Sequence, residues 1–429
     1  MGIQSRFKLY QEWETLRGRP LIAYVTSIRP NLSCSMASDA VPFIINQINA
    51  IPSDKNEIDF LIISNGGDPI TAQRIISILR ERFEKIAVVV PYVAFSAATV
   101  LSFGADEIVM HPYSNLGPVD PQLTVPKNQS IQGQPTQLNF SSEDIRNYID
   151  FIRSDVGISD QEHLATAFNA LATEIGAINI GISKRGQQLS LTLSERMLET
   201  HMDDKSKAAS IARSLNSDYY HHGYAVGRKE AKELGLSIVD PNPEEERVLW
   251  AIWEDFCEEM QCNRPFDPIA EVFSNPTAKS QIESIPIVDL PANMPPELAA
   301  QLFTNIANAT SINQRVPIEL RLPIAAIESI RTAYSVATHA SMVYFRDLAL
   351  QLNVNTTMYS EGWVKAYEGG GGDDGTIVRD QNESECDLRG TLPDQVNGTS
   401  QQQCDVPLCS LSATEAVRTV TGDSEDELD

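Results

Sequence analysis

The stretch Ile86-Ala87-Val88-Val89-Val90-Pro91-Tyr92-Val93-Ala94-Phe95-Ser96-Ala97-Ala98-Thr99 decides how the chain is read. Residues 86–105 run for twenty positions between Lys85 and Asp106 without a formal charge, long enough to resemble a membrane span on a hydropathy plot. The internal grammar points elsewhere. The β-branched run 86–90 is one strand long, Pro91 breaks it, and the small residues from Ser96 onward open a segment with helical spacing. A strand buried on both faces that feeds a buried helix has the same hydropathy, so the expectation is a buried parallel strand and helix rather than an integral membrane span.

The same alternation continues on either side. Residues 20–27 read as a strand, 36–48 as a helix and 60–63 as a buried strand. Residues 71–83 follow as an amphipathic helix, with Ile75, Ile76, Ile78 and Leu79 inward and Arg74, Arg80, Glu81 and Arg82 outward. Residues 106–110 add a strand ended by His111-Pro112. Repeated β-α-β units with short apolar strands predict an α/β fold with a mainly parallel sheet and right-handed crossovers. The Gln-, Pro-, Thr- and Asn-rich residues 123–139 read as an exposed excursion, followed by helices at 142–154, 160–175, 191–202 and 228–234 and a terminal strand at 237–239. A helix at 244–257 opens a second region with β-rich stretches at 316–330 and 342–354. Four glycines from Gly369 begin a tail with 14 acidic and 3 basic residues. The expected organisation is an α/β domain over 15–240, a smaller α+β accessory region over 241–368 and a disordered acidic tail over 369–429.

Composition narrows the function classes. At 42% hydrophobic and 21% charged, the 429 residues are those of a soluble globular protein with room for two or three domains. A formal charge of −25 opposes attraction to nucleic-acid phosphates or anionic lipid. The six cysteines show no C-x-x-C spacing and no adjacent His, so no zinc site is expected and free thiols in a reducing cytoplasm are. The start Met1-Gly2-Ile3-Gln4-Ser5-Arg6 lacks the apolar core of a secretory signal, and Arg6 stands where a Ser or Thr would favour myristoylation of Gly2.

Two features carry chemistry. In Ser64-Asn65-Gly66-Gly67-Asp68-Pro69 a glycine pair follows a strand, where a backbone N–H can face a ligand with no Cβ in the way; the plain alternative is a tight turn. Ser96 stands at the mouth of a helix of small residues, where its hydroxyl and the next N–H face the same way; the plain alternative is an N-cap. On successive β-α units of one parallel sheet, the two would flank a single crevice at the strand ends.

Together with Ala94-Phe95-Ser96-Ala97-Ala98, the run Ala105-Asp106-Glu107-Ile108 through Asp120-Pro121-Gln122, and the closing Arg228-Lys229-Glu230-Ala231-Lys232-Glu233-Leu234-Gly235-Leu236, these residues resemble the serine dehydrogenase proteinase family. That family belongs to the superfamily of Clp protease, signal peptide peptidase A and crotonase. The resemblance implies an ATP-independent, cytoplasmic serine peptidase that acts on peptides or unfolded protein, works as a homo-oligomer and needs no cofactor. Ser96 falls on the nucleophile position, with Gly67 and Ala97 on the two oxyanion-hole amides.

The general base departs from the Clp pattern. The position seven residues after Pro112, where Clp-type subunits have a His, falls on Val119-Asp120, and the Clp-type Asp position falls on Gly223. His222, beside Gly223, and His111, just before Pro112, are the candidate bases, while the Lys used by signal peptide peptidase A relatives makes Lys127 and Lys184 the alternatives. Asp120 or Asp218 would orient a base, and His163, His201 and His339 are given no role. The missing His keeps open a catalytically silent, peptide-binding scaffold, and the crotonase kinship an acyl-CoA thioester enzyme. Gly66-Gly67 lacks the third glycine and spaced acid of a dinucleotide fingerprint, despite the family's name.

Overall fold

A computed structural model describes residues 2–126, 137–217, 219, 223–283, 294–312, 317–346 and 352–368. Helix α1 (Ile3–Arg17) leads into β1 (Leu21–Thr26), α2 (Val41–Asn49), β2 (Glu57–Ile63), α3 (Pro69–Arg82), β3 (Lys85–Val90), the two-residue β4 (Val93–Ala94), α4 (Ala97–Phe103), β5 (Glu107–Met110) and β6 (Asn115–Leu116). A hairpin of β7 (Gln122–Pro126) and β8 (Gln137–Ser141) precedes four helices, α5 (Ser142–Asp150), α6 (Gln161–Ile175), α7 (Ala177–Leu198) and α8 (Lys205–Ser217). After β9 (Val226–Gly227), α9 (Arg228–Glu233) and β10 (Ile238–Val239) come α10 (Pro243–Glu259), α11 (Pro268–Ser274), α12 (Pro276–Ile282) and α13 (Pro296–Thr310). The strands β11 (Ile318–Glu328), β12 (Thr332–Arg346), β13 (Leu352–Ser360) and β14 (Val364–Glu368) complete the described chain.

The main sheet has the order β10-β5-β3-β2-β1-β11-β12-β13, with β14 also on β12. From β10 to β1 every pairing is parallel, as repeated β-α-β units require. Strand β11 then pairs antiparallel with β1, so the chain beyond residue 241 extends the same sheet. Side chains alternate between two cores. Ile22, Tyr24, Phe60, Ile62, Val88 and Val90 point to the face covered by α2, α3, α4, α7 and α8, while Leu21, Ala23, Leu61, Ile63, Ala87 and Val89 point to the face covered by α1 and α10. Burial on both faces is why these strands read as unbroken apolar runs. The charge-free segment resolves into β3, β4 and α4, and no helix among the described residues is long and apolar enough to cross a membrane.

Several expected elements are redrawn. The helix expected over 36–48 starts later, because Met36 joins a parallel β-bridge with Gly67 before a tight turn leads into α2. The polar excursion is partly the β7–β8 hairpin, in which Leu123, Val125, Leu138 and Phe140 pack with Ile175. The helix read at 191–202 is the end of the 22-residue α7, whose Gly181 and Gly186 blur its periodicity. Neither α1 nor α8 was apparent from the apolar spacing. Helix α1 is held by its charge: the buried Arg6 bonds Asp255 of α10 at 2.6 Å and Glu328 of β11 at 2.7 Å, and Tyr10 donates to Glu328 at 2.8 Å. The acidic tail, residues 369–429, lies outside the described residues.

Candidate active site

Three backbone segments are stitched together at the carboxyl ends of β1, β2 and β3. Ser64, the residue after β2, donates its N–H to Val93 at 3.1 Å and accepts from the Phe95 N–H at 2.9 Å, which draws the glycine turn onto the turn before α4. The Ser64 hydroxyl oxygen accepts from Thr26 Oγ1 at 2.8 Å and from the Gly66 N–H at 3.0 Å, fixing the first glycine. On the other side Met36 donates to Gly66 at 2.7 Å and accepts from Asp68 at 2.9 Å. Both groups of Met36 are thereby used on the residues flanking Gly67, so the N–H of Gly67 turns away from Met36.

Ser96 occupies the turn itself. Its φ of +52° lies in the left-handed region that few residues other than glycine adopt, and its ψ is −119°. Ser96 does precede α4, but its side chain makes no capping hydrogen bond, so the N-cap reading leaves its hydroxyl unexplained. A backbone held in a disfavoured conformation beside a cavity is a common mark of a functional residue. Thr99 braces the turn from within, its hydroxyl donating to Ala94 at 2.7 Å and accepting from the Gly117 N–H at 3.2 Å. The glycine pair is more than a tight turn: a Cβ at Gly66 would fall 2.7 Å from the Ser96 Cβ and 2.9 Å from the Ala97 nitrogen, and one at Gly67 would fall 2.3 Å from the Met36 oxygen.

Ser96, Gly67 and Ala97 meet at one cavity of about 460 Å³. Its walls come from Ser33, Cys34 and Ser35 before α2, Asn65 to Gly67, the first turn of α4, and Val119, Pro121 and Gln122. Ser190 of α7 closes it, its hydroxyl donating to Val119 at 2.6 Å. Among the described residues neither the Gly67 nor the Ala97 N–H donates to a protein acceptor; Ala97, as the first residue of α4, has no intrahelical one. The described lining contains no Asp, Glu, Lys, Arg or His.

The two base candidates among the described residues, His111 and Lys184, lie off the cavity lining. The His111 ring stacks on Trp250 of α10 with centroids 5.0 Å apart, and its Nδ1 accepts from the Tyr113 N–H at 3.2 Å. Burial holds its pKa below the ordinary imidazole value, and it does not line the Ser96 cavity. Lys184 lies on α7 with its Nζ donating to Gln187 at 3.2 Å, also off the cavity lining. His222, Lys127 and Asp218 lie outside the described residues. Asp120 accepts from the side chain of Gln122, a cavity residue, at 2.8 Å. The wall formed by Ser33 to Ser35 and the Ser190 contribution were missed in the sequence; the small polar run 31–35 marks a loop but not what it lines.

Residues 36–145 match the ClpP-like SDH-type serine proteinase family. The matched segment contains Gly67, Ser96, Ala97, His111 and Lys127; Lys184 and His222 lie beyond it. Two uncharacterized proteins of Methanocaldococcus jannaschii are similar over longer stretches. MJ0137 is 27% identical over 211 residues, which is 49% of this chain and 63% of that protein, and MJ1495 is 25% identical over 243 residues, 55% of this chain and 72% of that protein. The chain thus spans less than two thirds of the first of them. Among solved structures, a mutant of the membrane-bound stomatin-specific protease 1510-N matches at 13% identity and a TM-score of 0.32, covering 53% of this chain and 83% of that one.

Proposed function

We propose that the ClpP-like segment is the core of a serine peptidase that hydrolyses peptide bonds through an acyl-enzyme on Ser96. The observation that carries the reading is Ser96 held at φ +52° against the Gly66-Gly67 turn, at the edge of a cavity it shares with Gly67 and Ala97. Ser96 Oγ attacks the substrate carbonyl, the Gly67 and Ala97 N–H groups receive the developing oxyanion, and water then clears the ester. Acyl transfer of this kind consumes no nucleotide, and we assign no cofactor. His222 is our first choice as general base and Lys127 our second. In sequence, His222 follows α8, whose Leu215 carbonyl accepts from Val119, and Lys127 follows β7, whose Gln122 lines the wall.

In this reading residues 15–240 carry the chemistry, and 241–368 extend the sheet, with α10 covering the face away from α4. Exposed Ile178, Ile182 and Leu189 on α7 and Phe168 on α6 support a homo-oligomer built on these helices. Peptides or unfolded protein are the proposed substrates and the cytoplasm the proposed location. The described cavity lining, which holds no Asp, Glu, Lys, Arg or His, favours, as a second reading, a silent scaffold that binds peptide. A fluorophosphonate probe separates the two: covalent labelling of the wild type that disappears in Ser96→Ala supports the peptidase, and no labelling between pH 6 and 9 supports the scaffold.

A further inference from the structure

Away from the Ser96 cavity, the end of α10 brings two nucleophilic side chains together. The helix closes with Gln261 in the left-handed conformation at φ +54°; the Cys262 N–H donates to the Cys257 carbonyl at 2.9 Å and the Gln261 N–H to the Glu258 carbonyl at 3.3 Å. This pair of bonds is a Schellman turn, which sets the residue after the left-handed position over the third residue from the helix end. Apolar side chains commonly fill that contact. Here both positions are cysteines, and their thiols lie beside each other. A backbone bond of this kind also keeps the two Cα atoms within roughly the 4.4–6.8 Å that a disulfide spans.

The turn is tied to the candidate active site. The Cys262 sulfur lies against the Ile28 N–H. Close by, the Phe266 N–H donates to Pro30 at 2.9 Å, Arg29 Nε to the Arg264 carbonyl at 3.1 Å, and Asn31 to the Phe266 carbonyl at 3.2 Å. The chain from Ile28 runs directly into Ser33, Cys34 and Ser35 of the cavity wall and on to Met36, which holds Gly67.

We propose that Cys257 and Cys262 are a redox modification site: they form an intramolecular disulfide by exchange with a low-molecular-weight disulfide, releasing the Ile28 N–H and loosening residues 28–36. One cysteine thiolate attacks a sulfur of the oxidant RSSR, giving a protein–SR mixed disulfide and one RSH that takes up the cysteine's proton. The other thiolate then displaces the second RSH. The protein loses two hydrogens and two electrons, which appear in two molecules of thiol. Burial pushes both thiols up, Cys262 to about 11, which leaves little thiolate at neutral pH and makes the exchange slow there.

The test incubates the full chain under native conditions with oxidised glutathione at pH 8.5, followed by acid quenching, alkylation, peptide mapping and amide hydrogen exchange. A peptide joining Cys257 to Cys262, reversed by dithiothreitol, is expected, with exchange in residues 28–36 about tenfold faster than in the reduced protein. The Cys257→Ala variant, which keeps the Cys262 contact to Ile28, is expected to show no such acceleration. Glutathione adducts without a Cys257–Cys262 link, links to Cys34, Cys386, Cys404 or Cys409 instead, or an intact link with unchanged exchange in 28–36 would each overturn the proposal. The readout does not depend on whether Ser96 reacts.

Discussion

Gly66 lies against Ser96 so closely that a methyl group added to it would sit 2.7 Å from the serine Cβ and 2.6 Å from the Phe95 carbonyl oxygen. Its φ of +103° adds a conformational cost for any side chain. Gly66→Ala therefore has to push the Ser96 turn away from the glycine turn. The expected result is a stability loss of about 1–3 kcal/mol in denaturant unfolding and at least a tenfold drop in fluorophosphonate labelling. A variant that labels at the wild-type rate would show that the contact does not set the position of Ser96.

The strain at Ser96 gives a separate signature. Glycine adopts positive φ without steric cost, so Ser96→Gly relieves the turn while removing the hydroxyl that the proposal makes the nucleophile. We expect it to be more stable than Ser96→Ala by about 1 kcal/mol, with both variants silent toward the probe. Equal unfolding midpoints for the two would mean that the turn relaxes at no cost and that the serine is not held under tension.

The general base can be read from a pH profile. A histidine base is active when neutral, so labelling should rise with pH through about 6.5, whereas a lysine base would delay the rise. Replacing the true base is expected to slow labelling by about 10²–10⁴-fold. We expect that loss in His222→Ala. His111, stacked on Trp250 and off the cavity lining, should change the rate by less than about threefold when replaced by Asn. Loss of labelling in Lys127→Ala or Lys184→Ala, with His222→Ala unaffected, would move the assignment to that lysine.

The residues that were legible in the sequence are those whose local pattern and tertiary role coincide. Strands β1, β2, β3 and β5 are apolar runs because both faces of the sheet are covered, and Ser96 and Gly66-Gly67 stand where those strands end. Other contributions depend on contacts far apart in sequence. Met36 looked like the start of a helix because Val41, Ile44 and Ile48 follow at helical spacing, yet its backbone is captured by the glycine turn thirty residues on. Helix α1 carries almost no amphipathic signal; its Arg6 is buried only because Asp255 and Glu328 arrive from the other end of the chain. Ser190 lines the cavity from a helix whose glycines disguise its length. Local periodicity cannot report such pairings, since each partner looks ordinary until the sheet assembles.

Asp59, at the amino end of the parallel sheet, offers a test of stability against pH. It is fully buried, accepts from Trp13 at 2.8 Å and Arg17 at 3.1 Å, and lies 3.3 Å from Arg19. Burial outweighs the two guanidinium groups and raises its pKa from 3.8 to about 6. A carboxyl whose folded value exceeds its unfolded one favours folding when protonated, so its contribution is fully present below about pH 4 and is lost as pH rises through about 6. Glu107 beside it shifts the other way through Lys85, Arg19 and Arg17, so the raw stability curve mixes opposing effects. The informative quantity is the difference from Asp59→Asn, which cannot titrate. Between pH 4 and 7 the wild type should lose about 2–3 kcal/mol relative to that variant, measured by urea unfolding at each pH. Parallel curves for the two proteins over that window would mean that Arg17 and Arg19 hold the carboxylate at its ordinary pKa and that burial is not the dominant effect.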